Sequence, residues 1–137
     1  MKRLIVLAML AVLALTACSS APLNNAYTAA GDATHPDELA KTETFRDDDD
    51  LNVVVTLNSH NHELAVHAIF FAPDGATYAT DVLDADETVG EVLLGLDWEA
   101  QGSFKWPAGE WRVDVFIDDA REKSLDFQVE ASEEITS

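Results

Sequence analysis

Two segments near the end of the chain decide the fold: Gly109-Glu110-Trp111-Arg112-Val113-Asp114-Val115 and Leu125-Asp126-Phe127-Gln128-Val129. In both, apolar and polar side chains alternate, which is the period of a strand that buries one face and exposes the other to water. Residues 118–122 lie between the two segments, and their polar composition indicates a chain reversal. The sequence therefore predicts an antiparallel hairpin.

The same alternation recurs upstream of the hairpin. Residues 53–57 alternate, whereas residues 64–71 are apolar on both faces and are predicted to form a central strand. Further short strands are predicted around residues 78–82, 92–98 and 103–106. About seven strands at spacings of about 8–12 residues, without a convincing amphipathic helix, predict an all-β antiparallel sandwich over residues 45–131.

The closing hairpin resembles that of many bacterial immunoglobulin-like domains. In those domains a Gly-x-aromatic-x-Val-x-Val strand is followed by an apolar-x-Phe-x-Val strand, as in the two quoted segments. The likeness covers about a quarter of the body and implies an immunoglobulin-like sandwich. It implies no activity, because sandwich folds carry unrelated functions.

The first 17 residues have the features of a signal peptide. Lys2 and Arg3 supply a positive start, and residues 4–15 form an unbroken apolar run. That run suits a secretory signal, whose core needs about 7–15 residues, and it is too short for a membrane-spanning helix of about 20. Residues 1–17 are therefore predicted to be removed on export.

The end of this segment, Leu15-Thr16-Ala17-Cys18, resembles the lipobox of bacterial lipoproteins. The resemblance implies cleavage before Cys18, acylation of its thiol by groups such as palmitate, and anchoring in the bilayer. Ser19 after the cysteine resembles the form that is sent to the outer membrane, facing either the periplasm or the surface. The alternative is an ordinary secreted protein that is cut after an Ala-x-Ala-like site, with Cys18 incidental.

Residues 18–44 are small and polar, and they are predicted to form a lipidated flexible linker. They hold too few large apolar groups to offset the entropy of ordering, and as a coil they would span roughly 25–30 Å. The tail, residues 132–137, is predicted to be frayed. The expected arrangement is thus a compact body that stands clear of the membrane on a tether.

The charge balance limits the partners. The 137 residues include 8 Lys and Arg against 26 Asp and Glu; loss of Lys2 and Arg3 leaves 6 basic residues in a mature chain of 120. Such a surface opposes the binding of nucleic acid phosphates and is repelled by anionic lipids. It fits simple solubility and a saline habitat equally well. With one Cys, the chain has no internal disulfide.

A histidine cluster is the candidate metal site. His60 and His62 are separated by one residue in the predicted turn, and His67 lies on the following strand. Imidazole nitrogens bind zinc, copper or nickel, but the sequence fixes no further ligand. The preferred interpretation is a polar hairpin tip. The acidic run 47–50 is likewise interpreted as a solvated loop, because it lacks the alternating ligands and glycine of a calcium loop.

Two aromatic residues are candidates for partner contact. Trp106, next to Pro107, is predicted to be exposed, and Phe116 falls on the solvated face of its strand. Together they would form an apolar spot for another protein. Trp111 shares a face with Val113 and is predicted to lie in the core.

No catalytic motif is found in the sequence. A Gly-x-Ser-x-Gly elbow, a phosphate-binding glycine loop and a His-Glu-x-x-His stretch are all missing, so no enzymatic activity and no cofactor are expected. The leading hypothesis is a non-enzymatic outer-membrane lipoprotein that binds a protein or assists assembly in the envelope. Its rival is a periplasmic metal-binding protein that uses His60 and His62. A third hypothesis is an accessory or inhibitor domain that pairs an edge strand with its partner.

Overall fold

The computed structural model describes residues 21–31, 35–98, 100 and 104–132. Ten strands and one short 3₁₀ helix lie in this part of the chain, and no helix there is long and apolar enough to cross a membrane. The elements are β1 (Leu23–Ala30), the 3₁₀ helix (Pro36–Glu38), β2 (Ala40–Lys41), β3 (Thr44–Arg46), β4 (Leu51–Leu57), β5 (Leu64–Phe71), β6 (Thr77–Ala79), β7 (Leu83–Ala85), β8 (Glu91–Leu96), β9 (Gly109–Ile117) and β10 (Ala120–Glu130).

The strands form two sheets. The four-stranded sheet has the order β2-β1-β4-β8, and the six-stranded sheet has the order β3-β10-β9-β5-β6, with β7 also paired to β5. Every pair is antiparallel except β3 with β10. The expected all-β sandwich is confirmed. The described part contains ten strands and not about seven, partly because β1 and β2 lie before residue 45 and β3 lies at the start of the predicted body.

The closing hairpin is formed by β9 and β10, as the sequence predicts. Trp111 pairs with Phe127 and Val113 pairs with Leu125 across it. Asp118 and Asp119 make the connection, with φ angles of 52° and 68°. Two successive left-handed residues match the twist of the flanking strands, so the reversal is tighter than the predicted 118–122.

The core lies between the two sheets. Alternate residues of the central strands point into it and are fully buried, among them Val53, Val55, Val66, Val113 and Val115. Trp111 is also buried, which confirms its predicted place in the core. Burial of this apolar surface is the main force that holds the two sheets together.

The predicted linker over residues 18–44 is wrong for most of its length. β1 pairs along β4, with Ala26 opposite Val55 and Thr28 opposite Val53, and both β1 side chains are buried. Without β1, that edge of β4 would lack partners for its backbone groups. The described body therefore begins at Leu23 and not at residue 45. Residues 1–20, including Cys18, and residues 133–137 of the tail lie outside the described part of the chain.

The strands run between two ends of the sandwich. The start of β1, the β4–β5 turn (residues 58–63) and the β9–β10 turn meet at one end, which we call the N-terminal end, since Leu23 pairs with Leu57 and Val66 pairs with Ile117. The β5–β6 turn and Pro107-Ala108 lie at the opposite end. β9 has nine residues, so the two ends are about 27 Å apart.

Candidate functional site

The outer face of the six-stranded sheet carries an unusual set of side chains. Along β5 the inward residues are fully buried, whereas His67, Ile69 and Phe71 point outward and are half-buried. β9 adds Arg112 and Phe116 beside them. We call these five residues the outer patch. A sheet face that is open to water usually carries polar side chains, so three large apolar residues here require an explanation.

A buried carboxylate lies at the centre of the outer patch. Asp114 is only 3% exposed. Its Oδ1 lies 3.1 Å from Arg112 Nε and accepts a hydrogen bond of 2.5 Å from the Ser124 hydroxyl, while its Oδ2 lies 3.8 Å from Arg121 Nη1. Two guanidinium groups thus compensate the buried charge, which makes its burial tolerable.

Two aromatic contacts order the outer patch. The rings of His67 and Phe116, which are cross-strand partners, stack with centroids 5.0 Å apart and planes 8° apart. The guanidinium carbon of Arg112 lies 4.3 Å from the ring centroid of Phe71, its own cross-strand partner. A cation over an aromatic face is attracted by the ring quadrupole. These two contacts restrict the orientations of the Phe116 and Phe71 rings in the outer patch.

Phe116 lies on the outer face as predicted, but Trp106 does not join it. Trp106 is 2% exposed and packs edge-on against Tyr78 and Trp111. Its indole Nε1 donates to the Asp49 carbonyl oxygen at 2.7 Å. The predicted exposure of Trp106 is wrong because the ring closes one end of the core and finds a polar partner there for its N–H.

The acidic run 47–50 supports the backbone around this tryptophan. The carboxylate of Asp49 accepts from the Arg46 amide at 2.8 Å, and that of Asp50 accepts from the Trp98 amide at 2.9 Å. Asp47 Oδ2 accepts from the Ser132 amide, while its Oδ1 is buried without a hydrogen-bond partner. These carboxylates serve as local caps of the loop.

The three candidate histidines make different contacts and do not share a site. The ring nitrogens of His60 bond to two carbonyl oxygens, Nδ1 to Asn58 at 2.9 Å and Nε2 to Asp86 at 2.7 Å. His62 contacts the side chain of Asn61, and His67 belongs to the outer patch. Within residues 21–31, 35–98, 100 and 104–132, no three potential ligands are grouped to hold a metal ion.

The contacts of His60 favour its charged form. Carbonyl oxygens only accept, so both hydrogen bonds form together only when each ring nitrogen carries a proton. The Asn58 carbonyl, followed by that of Asp86, raises the pKa of His60 above its ordinary 6.5. The hydrogen bonds from Thr88 lower the pKa of the Asp86 carboxyl, which favours its negative form.

A shallow hollow opens at the N-terminal end beside these histidines. Its volume is about 550 Å³, and it lies against the first described residues of the chain. The lining residues are Pro22, Ser59, His60, Asn61, His62, Leu64 and Asp118. Its lining includes residues of the β4–β5 turn and Pro22, so the turn lies beside the first described residues of the chain.

Sequence reasoning missed Asp114, the buried carboxylate around which the outer patch is arranged. Asp114 alternates with Arg112 and Phe116 on one strand, which reads as an ordinary solvated face. The available signal was the neighbouring central strand, where His67 and Ile69 make the same outer face apolar. Only the register between β5 and β9 shows that the two sets of side chains touch.

A solved structure with a similar fold supports the architecture. No family model matches the chain, and no curated protein matches it. An immunoglobulin-like protein from Pseudomonas aeruginosa is similar at a TM-score of 0.53 and 14% identity, over 80% of this chain and 95% of that one. This likeness and the two sheets confirm the immunoglobulin-like fold, and they show the fold alone.

Two further solved structures are similar at a lower level. A candidate lipoprotein from Bacillus anthracis has a TM-score of 0.40 and 10% identity, over 67% of this chain and 71% of that one. An alkylpurine DNA glycosylase from Pseudomonas fluorescens, bound to DNA with an abasic-site analogue, has a TM-score of 0.45 and 14% identity. That match covers 64% of this chain, which spans only 27% of the glycosylase.

Proposed function

We propose that this protein is a non-enzymatic lipoprotein of the bacterial envelope that binds a protein partner through the outer patch. Acylated Cys18 anchors it in a membrane, as the lipobox Leu15-Thr16-Ala17-Cys18 implies, and Ser19 after the cysteine favours the outer membrane. Several acyl chains together give stable anchoring, whereas one chain binds only marginally. The immunoglobulin-like sandwich then serves as a rigid carrier of the binding surface.

The observation that carries this proposal is the ordered apolar surface around Asp114. Ile69, Phe71 and Phe116 remain partly exposed although each is large and apolar. Aromatic residues and arginine are enriched at the centres of protein interfaces. Side chains that are already ordered in the free protein lose less conformational entropy on binding. In the outer patch, His67 and Phe116 stack on each other and the Phe71 ring lies under Arg112, so all three rings are ordered in the free protein.

The charge of the chain indicates the chemistry of the partner. With 6 basic and 26 acidic residues in the mature chain, the surface repels acidic proteins at long range. Arg112 belongs to the patch and Arg121 lies beside Asp114 at its centre; their side chains are 46% and 60% exposed. A suitable partner therefore presents an apolar centre within a neutral or basic rim.

Site-specific crosslinking tests this proposal. A photoreactive amino acid in place of Ile69 should give one discrete adduct in native membranes, and Phe116→Asp should abolish it because a carboxylate replaces the apolar contact. Leu93→Asp is the matched control, since Leu93 is half-buried on the outer face of the other sheet. An adduct that survives Phe116→Asp, or is lost equally in Leu93→Asp, would contradict the proposal.

A further inference from the structure

The chain is fixed at the N-terminal end of the sandwich as soon as it enters the described region. The Asn58 side-chain Nδ2 donates to the Ala21 carbonyl oxygen at 2.7 Å and to that of Leu23 at 3.3 Å. The Asn58 amide donates to the Pro22 carbonyl oxygen at 2.9 Å. One residue of the β4–β5 turn thus holds three consecutive carbonyl groups.

This clamp leaves very little chain between the body and Cys18. Only residues 19 and 20 lie between Cys18 and Ala21. The three Cα–Cα steps of about 3.8 Å span at most about 11 Å, whatever conformation they adopt. That upper limit replaces the 25–30 Å expected of a long linker, and it brings any bilayer that holds Cys18 close to the N-terminal end.

We propose that the sandwich stands end-on against a zwitterionic lipid surface, with the β4–β5 turn and the hollow beside it in contact with the headgroups. This inference rests on the proposed acylation of Cys18. The contact surface consists of Ser59, His60, Asn61, His62 and Asp118, which line the hollow with Pro22. The strands then run roughly perpendicular to the membrane, and both sheet faces, including the outer patch, face laterally away from the lipid surface.

The charges at this end favour headgroups that carry both signs. Glu63, Asp118 and Asp119 are exposed there, and the proton-favouring contacts of His60 place a positive charge among them. A phosphatidylethanolamine headgroup offers an ammonium for the exposed carboxylates. Its phosphate is attracted to the imidazolium by charge alone, because both ring nitrogens of His60 already bond to the Asn58 and Asp86 carbonyl oxygens. An anionic headgroup would meet mainly like charge.

Distance-dependent quenching tests the orientation. Ser59→Cys and Ala108→Cys place a fluorophore at opposite ends, at exposed positions about 27 Å apart along the strands. The acylated protein is reconstituted in phosphatidylethanolamine–phosphatidylcholine vesicles that carry a nitroxide on the headgroup. We expect the label at residue 59 to be quenched several-fold more than the label at residue 108. Equal quenching, or stronger quenching at residue 108, would overturn the inference.

A lengthened tether supplies the matched control. An insertion of about twelve Gly and Ser residues between Ser20 and Ala21 adds a coil of about 20 Å and should reduce the quenching at residue 59 to that at residue 108. Flotation with the vesicles separates the two proposals. Protein that fails to float contradicts acylation, whereas protein that floats with equal quenching contradicts only the end-on orientation.

Discussion

Phe116 lies parallel to His67 across two strands, with ring centroids 5.0 Å apart and ring planes only 8° apart. The pair is half-buried on a sheet face that is open to solvent. A stacked ring exposes one flat side and keeps the other covered by the protein. This arrangement fixes the orientations of the two rings in the free protein.

Removal of the buried carboxylate should destabilise the outer face. Asp114→Ala leaves Arg112 and Arg121 close together without their shared anion and removes the acceptor of Ser124. We expect a loss of about 1–3 kcal/mol in the free energy of unfolding, measured in urea, because hydrogen bonds to charged groups contribute that much. Asp126→Ala is the control at an exposed position. Equal stability of the two variants would show that Asp114 is not a structural centre.

Trp106 should contribute to stability and not to partner binding. Trp106→Ala removes a buried indole and leaves a cavity, so we expect a loss of about 3–5 kcal/mol in the free energy of unfolding. Phe104→Ala provides a comparison, because Phe104 is 52% exposed and should change stability by less than about 0.5 kcal/mol. A Trp106→Ala variant of unchanged stability would contradict its burial.

β1 should behave as part of the folded core. Ala26 is 3% exposed and faces the interior, so Ala26→Asp buries a charge without a partner. We expect the variant to lose its thermal unfolding transition, or to unfold at a midpoint many degrees lower, as measured by circular dichroism. Asn24→Asp adds the same charge at an exposed position of the same strand and should leave the transition nearly unchanged. If both variants melt alike, residues 23–30 are a linker after all.

His60 should make stability depend on pH. Its pKa is raised in the folded protein, so the stabilisation by its charged form is fully present below about pH 6.5 and is lost as the pH rises through the raised value. NMR titration should therefore give His60 a pKa above 6.5. The stability difference between the natural protein and His60→Gln should shrink from pH 5.5 to pH 8. A difference that grows with pH would mean that His60 is held neutral.

The accuracy of the sequence predictions follows the size of the buried side chains. β9 and β10 were predicted well because Trp111, Val113 and Phe127 give a strong period of two. β1 was missed because its inward residues, Ala26 and Thr28, are small and give a weak signal. Such a strand forms because it pairs with the unpaired edge of β4, and the local sequence pattern does not show that this edge needs a partner.

The candidate site was only partly predictable, for a similar reason. The place of Phe116 on the outer face follows from alternation along one strand. Its contact with His67 depends on the register between two strands that are far apart in the sequence. The burial of Trp106 depends on its contacts with Tyr78 and with the Asp49 carbonyl oxygen, which lie far from it in the sequence.

Membrane anchoring is the central claim, and intact-mass spectrometry of the protein purified from its native membrane tests it most directly. We expect a chain that begins at Cys18 and whose mass exceeds that of residues 18–137 by a diacylglyceryl group, with or without a further amide-linked acyl chain. A chain of unmodified mass with a free thiol, or one whose first residue lies elsewhere, would contradict the account.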